Sequence, residues 1–248
     1  MAGHSKWANI KRRKGAQDAV RGKLFTKLIR EIMTAAQLGG PDPDANPRLR
    51  AAIDKARSNS MPRDNIKRAV EKGSGNLDGA NYEEIRFEGY GAGGVAVIVE
   101  CLSDNRNRTA GDVRHAFSRS NGNLGTTGCV GYMFNRKGLI RVLADGIDED
   151  ELMMAALEAG AEDVTLQEDA YEIVTDFPDF EACRAAIVDA GFEPSDAELT
   201  FIADTDASVE GKHAKSVLKL VEMLEDLDDV QNVFTNADID DATLAELG

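Results

Sequence analysis

Between residues 16 and 38 the apolar positions return with helical spacing: Val20, Leu24, Leu28 and Ile32 recur every four residues, flanked by Phe25 and Ile29. At 100° per residue they gather on one side, and Lys23, Lys27, Arg30 and Thr34 fall on the opposite side. The pattern predicts an amphipathic helix that stops at Gly39, Gly40 and Pro41. A second helix is predicted over 47–59, with Leu49, Ala52, Ile53 and Ala56 inward. A third takes Ser60 as N-cap, carries Pro62 in its first turn, buries Ile66, Ala69 and Val70, and ends at Gly73. Three such stripes cannot be buried singly, so the helices are expected to pack as a bundle.

After the turn-rich stretch 73–80 the period falls to two. Residues 82–90 and 95–102 read as strands joined by a glycine turn, 91–94. A helix is predicted from Thr109, with Asp112 completing a capping-box-like pair, and it ends near Asn121 and Gly122. From about Val130 the order is strand, helix (148–159), strand (163–167), strand (171–175), helix (177–190) and strand (197–203), the βαββαβ of a ferredoxin-like unit. A last helix (209–227) and strand (230–235) find no partners there, so they are expected to return and complete the preceding sheet. The expected fold class is α+β: an N-terminal three-helix bundle (1–75), then two α/β domains of ferredoxin-like type, the last (130–203) inserted in the second (76–129 with 204–248).

Charge changes the picture once it is divided. The chain has 248 residues and a net charge of −15. Residues 1–75 hold 17 Lys+Arg against 7 Asp+Glu, a balance of +10, and the remainder holds 12 against 37, a balance of −25. A basic head on an acidic body points to a module that meets polyanions. No apolar run approaches the ~18 residues of a membrane span, and no apolar segment follows the first basic residues, so a cytoplasmic protein without membrane contact is expected. Cys101, Cys129 and Cys183 are widely separated and odd in number, which argues against disulfides or a zinc site.

The polyanion-binding candidates are the polar arm 1–14, with Lys6, Lys11, Arg12, Arg13 and Lys14, and the helix faces carrying Lys23, Lys27 and Arg30, then Arg63 and Lys67, and Arg68 and Lys72. Each cation can neutralise a phosphate and release a counterion. Trp7 is placed to stack on an exposed base. The run Asn105-Arg106-Asn107-Arg108-Thr109 precedes a helix. Two readings of it stay open: Arg106 and Arg108 beside free N–H groups favour an anion, or the polar side chains simply cap the helix. The glycine loop 122–128 has no Lys or Arg and reads as a flexible turn, with close approach to a backbone as the alternative. Gly89, Gly91, Gly93 and Gly94 resemble a dinucleotide fingerprint, but a strand follows them where that motif needs a helix. His4, His115 and His213 are scattered and no hydrolase, zincin or P-loop motif occurs, so no enzyme, metal, cofactor or small-molecule substrate is expected.

Four segments together resemble the YebC/PmpR family of bacterial regulatory proteins, which includes mitochondrial translational activators of cytochrome oxidase synthesis. They are Ala2-Gly3-His4-Ser5-Lys6-Trp7-Ala8-Asn9-Ile10-Lys11, Met61-Pro62-Arg63-Asp64-Asn65-Ile66, Asp104-Asn105-Arg106-Asn107-Arg108-Thr109 and Gly122-Asn123-Leu124-Gly125. The resemblance implies a helical bundle and two α/β domains, the last inserted in the second. It also implies a DNA-binding transcriptional regulator or, alternatively, a translation factor that binds ribosomal RNA and relieves stalls. Either role makes nucleic acid the partner, and the second adds the ribosome. Against the first stands the connection 39–46, too long and proline-rich for a helix-turn-helix.

Overall fold

A computed structural model describes residues 17–75, 81–167, 169–239 and 243, with the backbone alone at 17–21. The fold is α+β, and it divides into two compact units, 1–132 with 205–248 and 133–204.

The first unit opens with α1 (Gln17–Gly39), α2 (Pro47–Ser58) and α3 (Arg63–Gly73). Leu28, Ile32, Leu49, Ile53, Met61 and Ile66 form their shared core. Asn46 organises the connection between α1 and α2. Its side chain accepts from the Leu49 N–H at 3.1 Å, capping α2, while its amide donates to the carbonyls of Ala35 (2.8 Å) and Gly40 (2.9 Å). No side chain fits at Gly39, where a Cβ would stand 2.6 Å from the Asn46 amide.

The expected N-cap at Ser60 is corrected. Ser60 has φ +60° and closes α2 instead of opening α3. Its N–H donates to Arg57 O and that of Met61 to Ala56 O, both at 2.9 Å, the two bonds of a Schellman ending. Helix α3 then starts behind Pro62 without a side-chain cap.

A four-stranded antiparallel sheet follows. Strands β1 (Glu83–Tyr90) and β2 (Ala96–Ser103) form its central hairpin, joined by a 3-10 turn at Ala92–Gly94 in which Gly93 and Gly94 adopt φ of 74° and 79°. Helix α4 (Arg106–Arg119) leads to β3 (Asn123–Leu124), which pairs with β1. After the second unit the chain supplies β8 (Ala207–Ser208), α7 (Gly211–Glu225), β9 (Val230–Thr235) and β10 (Ala237–Asp238). Strand β9 pairs with β2, giving the order β3-β1-β2-β9, and β8 and β10 form a small parallel pair. The returning strand makes 133–204 an insertion in this fold. Helices α4 and α7 cover one sheet face through Val113, Phe117, Val217, Leu220 and Leu224. Helix α4 begins three residues before the expected Thr109, because Asn105 accepts from the Arg108 N–H at 3.1 Å and caps it.

The second unit runs β4 (Phe134–Leu143), α5 (Glu149–Glu158), β5 (Ala161–Gln167), β6 (Ala170–Asp176), α6 (Phe180–Asp189) and β7 (Pro194–Ala203). Its sheet order is β5-β6-β4-β7, antiparallel throughout, over a core that includes Ile140, Ile173, Leu152 and Ile187. Several boundaries move, with β5 beginning at Ala161 and β7 at Pro194. A 3-10 turn, Gly131–Met133, comes before β4, and Pro178 makes the start of the helix expected at 177 a 3-10 turn, with α6 proper beginning at Phe180.

Candidate nucleic-acid interface

The cationic face of α1 turns inward, onto the loop between α7 and β9. Lys23 Nζ pairs with Asp226 at 2.8 Å, and Lys27 Nζ donates to the Glu225 carbonyl at 2.9 Å. The Arg30 guanidinium, only 14% exposed, meets Asp229 Oδ1 at 2.6 Å and the carbonyls of Asp228 and Leu102, and lies 5.3 Å from the centre of the Tyr82 ring.

Asp229 is the hub of this junction. From α4, Arg108 donates to Asp229 Oδ2 at 2.8 Å and Oδ1 at 3.0 Å, and the Thr109 hydroxyl donates to Oδ2 at 2.6 Å. The Ser103 hydroxyl lies 3.2 Å from the same oxygen. Arg108 also pairs with Asp104 at 2.8 Å. Burial alone would raise the Asp229 pKa, but the bonds from Thr109, Arg108 and Arg30 outweigh it and hold the carboxyl below the usual carboxylate range. Of the two readings left open for 105–109, this geometry supplies the capping one for Asn105 and gives Arg108 an internal carboxylate where an anion was considered. Arg106, two residues before it, is exposed, and no ion pair reaches it among the described residues.

Helix α3 behaves oppositely. Ile66 and Ala69 are buried, while Arg63, Lys67, Arg68 and Lys72 are all exposed. Among the described residues the one ion pair of these four is a loose 3.8 Å contact of Lys67 with Glu71. Four residues, Asn59 to Pro62, join α2 to α3, a shorter connection than 39–46 and of the length found in helix-turn-helix pairs. Pro41, Pro43, Ile53, Ile66 and Val70 line a shallow groove of about 410 Å³ beside this pair, together with Arg57, Arg63 and Lys67. Arg57 is not among the cations singled out from the sequence, although it lies on the same exposed side of α2 as Asp54, its partner at 3.3 Å. The arm residues Lys6, Trp7, Lys11, Arg12, Arg13 and Lys14 lie outside the described residues.

Comparison with known proteins places this arrangement. Residues 5–76 match the TACO1/YebC protein N-terminal domain, and residues 82–237 match the TACO1/YebC second and third domain. The chain belongs to the TACO1/YebC family. A relative from Francisella tularensis named "Probable transcriptional regulatory protein" is 56% identical over 249 residues, covering 100% of both chains. One of the same description from Geobacter sulfurreducens is 55% identical over 247 residues, again covering 100% of each. The crystal structure of a conserved hypothetical protein from Aquifex aeolicus has a TM-score of 0.83 at 46% identity, covering 92% of this chain and 95% of that one.

In this TACO1/YebC chain the glycine loop is held by its own backbone and one carboxylate. Glu88, almost fully buried, accepts from the N–H groups of Gly131 (2.7 Å) and Val130 (3.0 Å). Burial works to raise its pKa, but these backbone bonds prevail and hold it below the usual range. A Cβ at Gly122 would meet Tyr90 O at 2.8 Å and one at Gly125 would meet Cys129 Sγ at 2.5 Å, so the glycines serve close self-packing. Burial pushes the Cys101 thiol up to about 12 and raises those of Cys129 and Cys183. Among the described residues no cluster of His, Cys, Asp or Glu is arranged to hold a metal, and no helix is long and apolar enough to cross a membrane.

Proposed function

We propose that the protein is a nucleic-acid-binding regulator of gene expression that acts in the cytoplasm by binding, not catalysis, and that its target is duplex DNA. The observation carrying this reading is the α3 face, where Arg63, Lys67, Arg68 and Lys72 stand exposed on a chain whose remainder, beyond residue 75, balances at −25. The short α2–α3 connection adds to it, since the second helix of such a pair is the one that enters the major groove. Residues near the start of α3, Arg63 and Lys67 first, would then reach base edges, and Arg68 and Lys72 the phosphates. Arm cations Lys6, Lys11, Arg12, Arg13 and Lys14 would add backbone contacts, with Trp7 against a base. Relatives named as transcriptional regulatory proteins support the same role.

Competition binding at near-physiological salt tests it, with promoter-length duplexes set against purified ribosomes at matched phosphate concentration. A regulator of this kind shows one duplex competing well and its scrambled version poorly, each mismatch weakening binding by about 1–3 kcal/mol. Sequence-blind DNA binding with ribosomes far ahead would replace this reading with a ribosome-associated translation factor.

A further inference from the structure

The acidic body has exposed cations of its own, and five of them lie on two adjoining helices. On the sheet face turned away from α4 and α7, Arg86 is neutralised by Glu100 at 3.1 Å. At the bundle junction, Arg108 is taken by Asp104 and Asp229. Arg106 is exposed at the start of α4 and Arg136 of the second unit lies 4.2 Å from the centre of the Phe177 ring, while five further cations lie along the two helices that cover the opposite face. Lys212, Lys215 and Lys219 follow one another at i, i+3 and i+7 on α7, opposite its buried stripe of Ala214, Val217 and Leu220. Arg114 and Arg119 are exposed on α4. Among the described residues no ion pair or side-chain hydrogen bond reaches any of these five.

The two helices bring these cations together where the C-terminal end of α4 meets α7. Asn121, just past α4, donates to the Ser216 hydroxyl at 3.2 Å and the Ser120 hydroxyl lies 3.7 Å from the Met223 sulfur, so the C-terminal end of α4 lies against the middle of α7. Toward its C-terminal end the α7 stripe changes sign at Glu222 and Asp226, and Asp226 is the residue that receives Lys23. The nearest acids along the chain are Asp112 on α4 and Glu210 and Glu222 around α7.

We infer that this part of the α4–α7 layer is a second nucleic-acid contact, which takes the phosphate backbone of the polyanion held by α3. The inference rests on the reading of α3 as a nucleic-acid surface and extends it to the acidic body. The chemistry of the patch selects the partner. Protein interfaces need a buried apolar centre, and none of the exposed large apolar side chains of the described chain lies on α4 or α7. Lysines one turn apart act as point charges that position a phosphate backbone without reading bases.

The test measures duplex binding against salt for three proteins: the parent, Lys212→Gln with Lys215→Gln and Lys219→Gln, and Arg63→Gln with Lys67→Gln, Arg68→Gln and Lys72→Gln. The α7 variant is expected to flatten the logarithmic salt slope by about 2–3, roughly 0.9 for each phosphate no longer neutralised. Its urea midpoint should stay at the parent value, and a Lys→Arg version of the three sites should restore the slope. If the α7 variant binds like the parent while the α3 variant fails, the second contact is overturned and the reading of α3 stands. If neither variant changes binding, both fall. Weakened binding that the Lys→Arg version does not repair would also overturn the inference, because the effect would then not be one of charge.

Discussion

Helices α1 and α3 begin from the same arrangement and end in opposite places. Each sets a stripe of cations against a buried apolar stripe, Lys23, Lys27 and Arg30 on one, Arg63, Lys67, Arg68 and Lys72 on the other. On α1 all three cations reach protein oxygens of the 225–229 segment. On α3 all four face solvent. A cationic face can therefore be a fastener or a contact surface, and what decides is whether the fold brings an acidic segment against it. The acidic body supplies that segment to α1 through Asp226 and Asp229, which anchors the basic head by charge as well as by packing.

The largest effect that would break this contrast is at the hub. Asp229→Asn leaves Arg30 buried without its counterion, and breaking such a pair costs about 3–5 kcal/mol, here toward the lower figure because Arg108 is nearly half exposed. Urea denaturation should show that loss, while the salt slope of nucleic-acid binding stays unchanged. The pH dependence has a fixed sign. The folded Asp229 pKa lies below its unfolded value near ~3.9, so its stabilisation is present above that value and fades as pH falls through the folded pKa. Glu88 adds a loss in the same direction. Acid titration of stability should be steeper for the parent than for Asp229→Asn.

Next comes the α3 face. Neutralising Arg63, Lys67, Arg68 and Lys72 together should reduce the salt slope by up to about 4 at roughly 0.9 per phosphate, with stability held within ~0.5 kcal/mol. The contrast sharpens further inside one helical turn. Arg108→Ala should destabilise by about 1–3 kcal/mol by depriving Asp229 of a charged donor, and leave binding alone. Arg106→Ala should leave the urea midpoint in place. The smallest effect is at Lys23, whose pair with Asp226 is exposed on both sides, and Lys23→Ala should cost under about 1 kcal/mol.

Much of this is legible in the sequence. The spacing of Leu24, Leu28 and Ile32 marks α1, and the alternation of β and α elements after Val130 gives the ferredoxin-like order, because both signals are local and periodic. Ser60 misleads because a serine two residues before a proline looks like an N-cap, whereas its left-handed conformation belongs to the hydrogen-bonded ending of α2. The cationic side of α1 is visible in the sequence, but its partners are not. Asp229 lies 199 residues from Arg30 and 121 from Arg108, and nothing in the sequence singles it out among 44 acidic residues. The lysines of α7 carry a readable spacing that is masked because the body around them is so acidic.

The inserted segment 133–204 has a consequence for the order of folding. Its two ends lie side by side: Phe134 is paired with Ala203, and the Asp204 N–H donates to Met133 O at 2.9 Å. Strand β9 must find β2 across a long stretch, Val99 opposite Val233, a separation of 134 residues. If the insert collapses first, its 72 residues drop out of that search and the effective loop is roughly halved. Closing the loop then costs about 0.6 kcal/mol less entropy, nearly a threefold gain in the frequency of closure. An element that interrupts the host sheet in the chain would thus shorten the search that completes it.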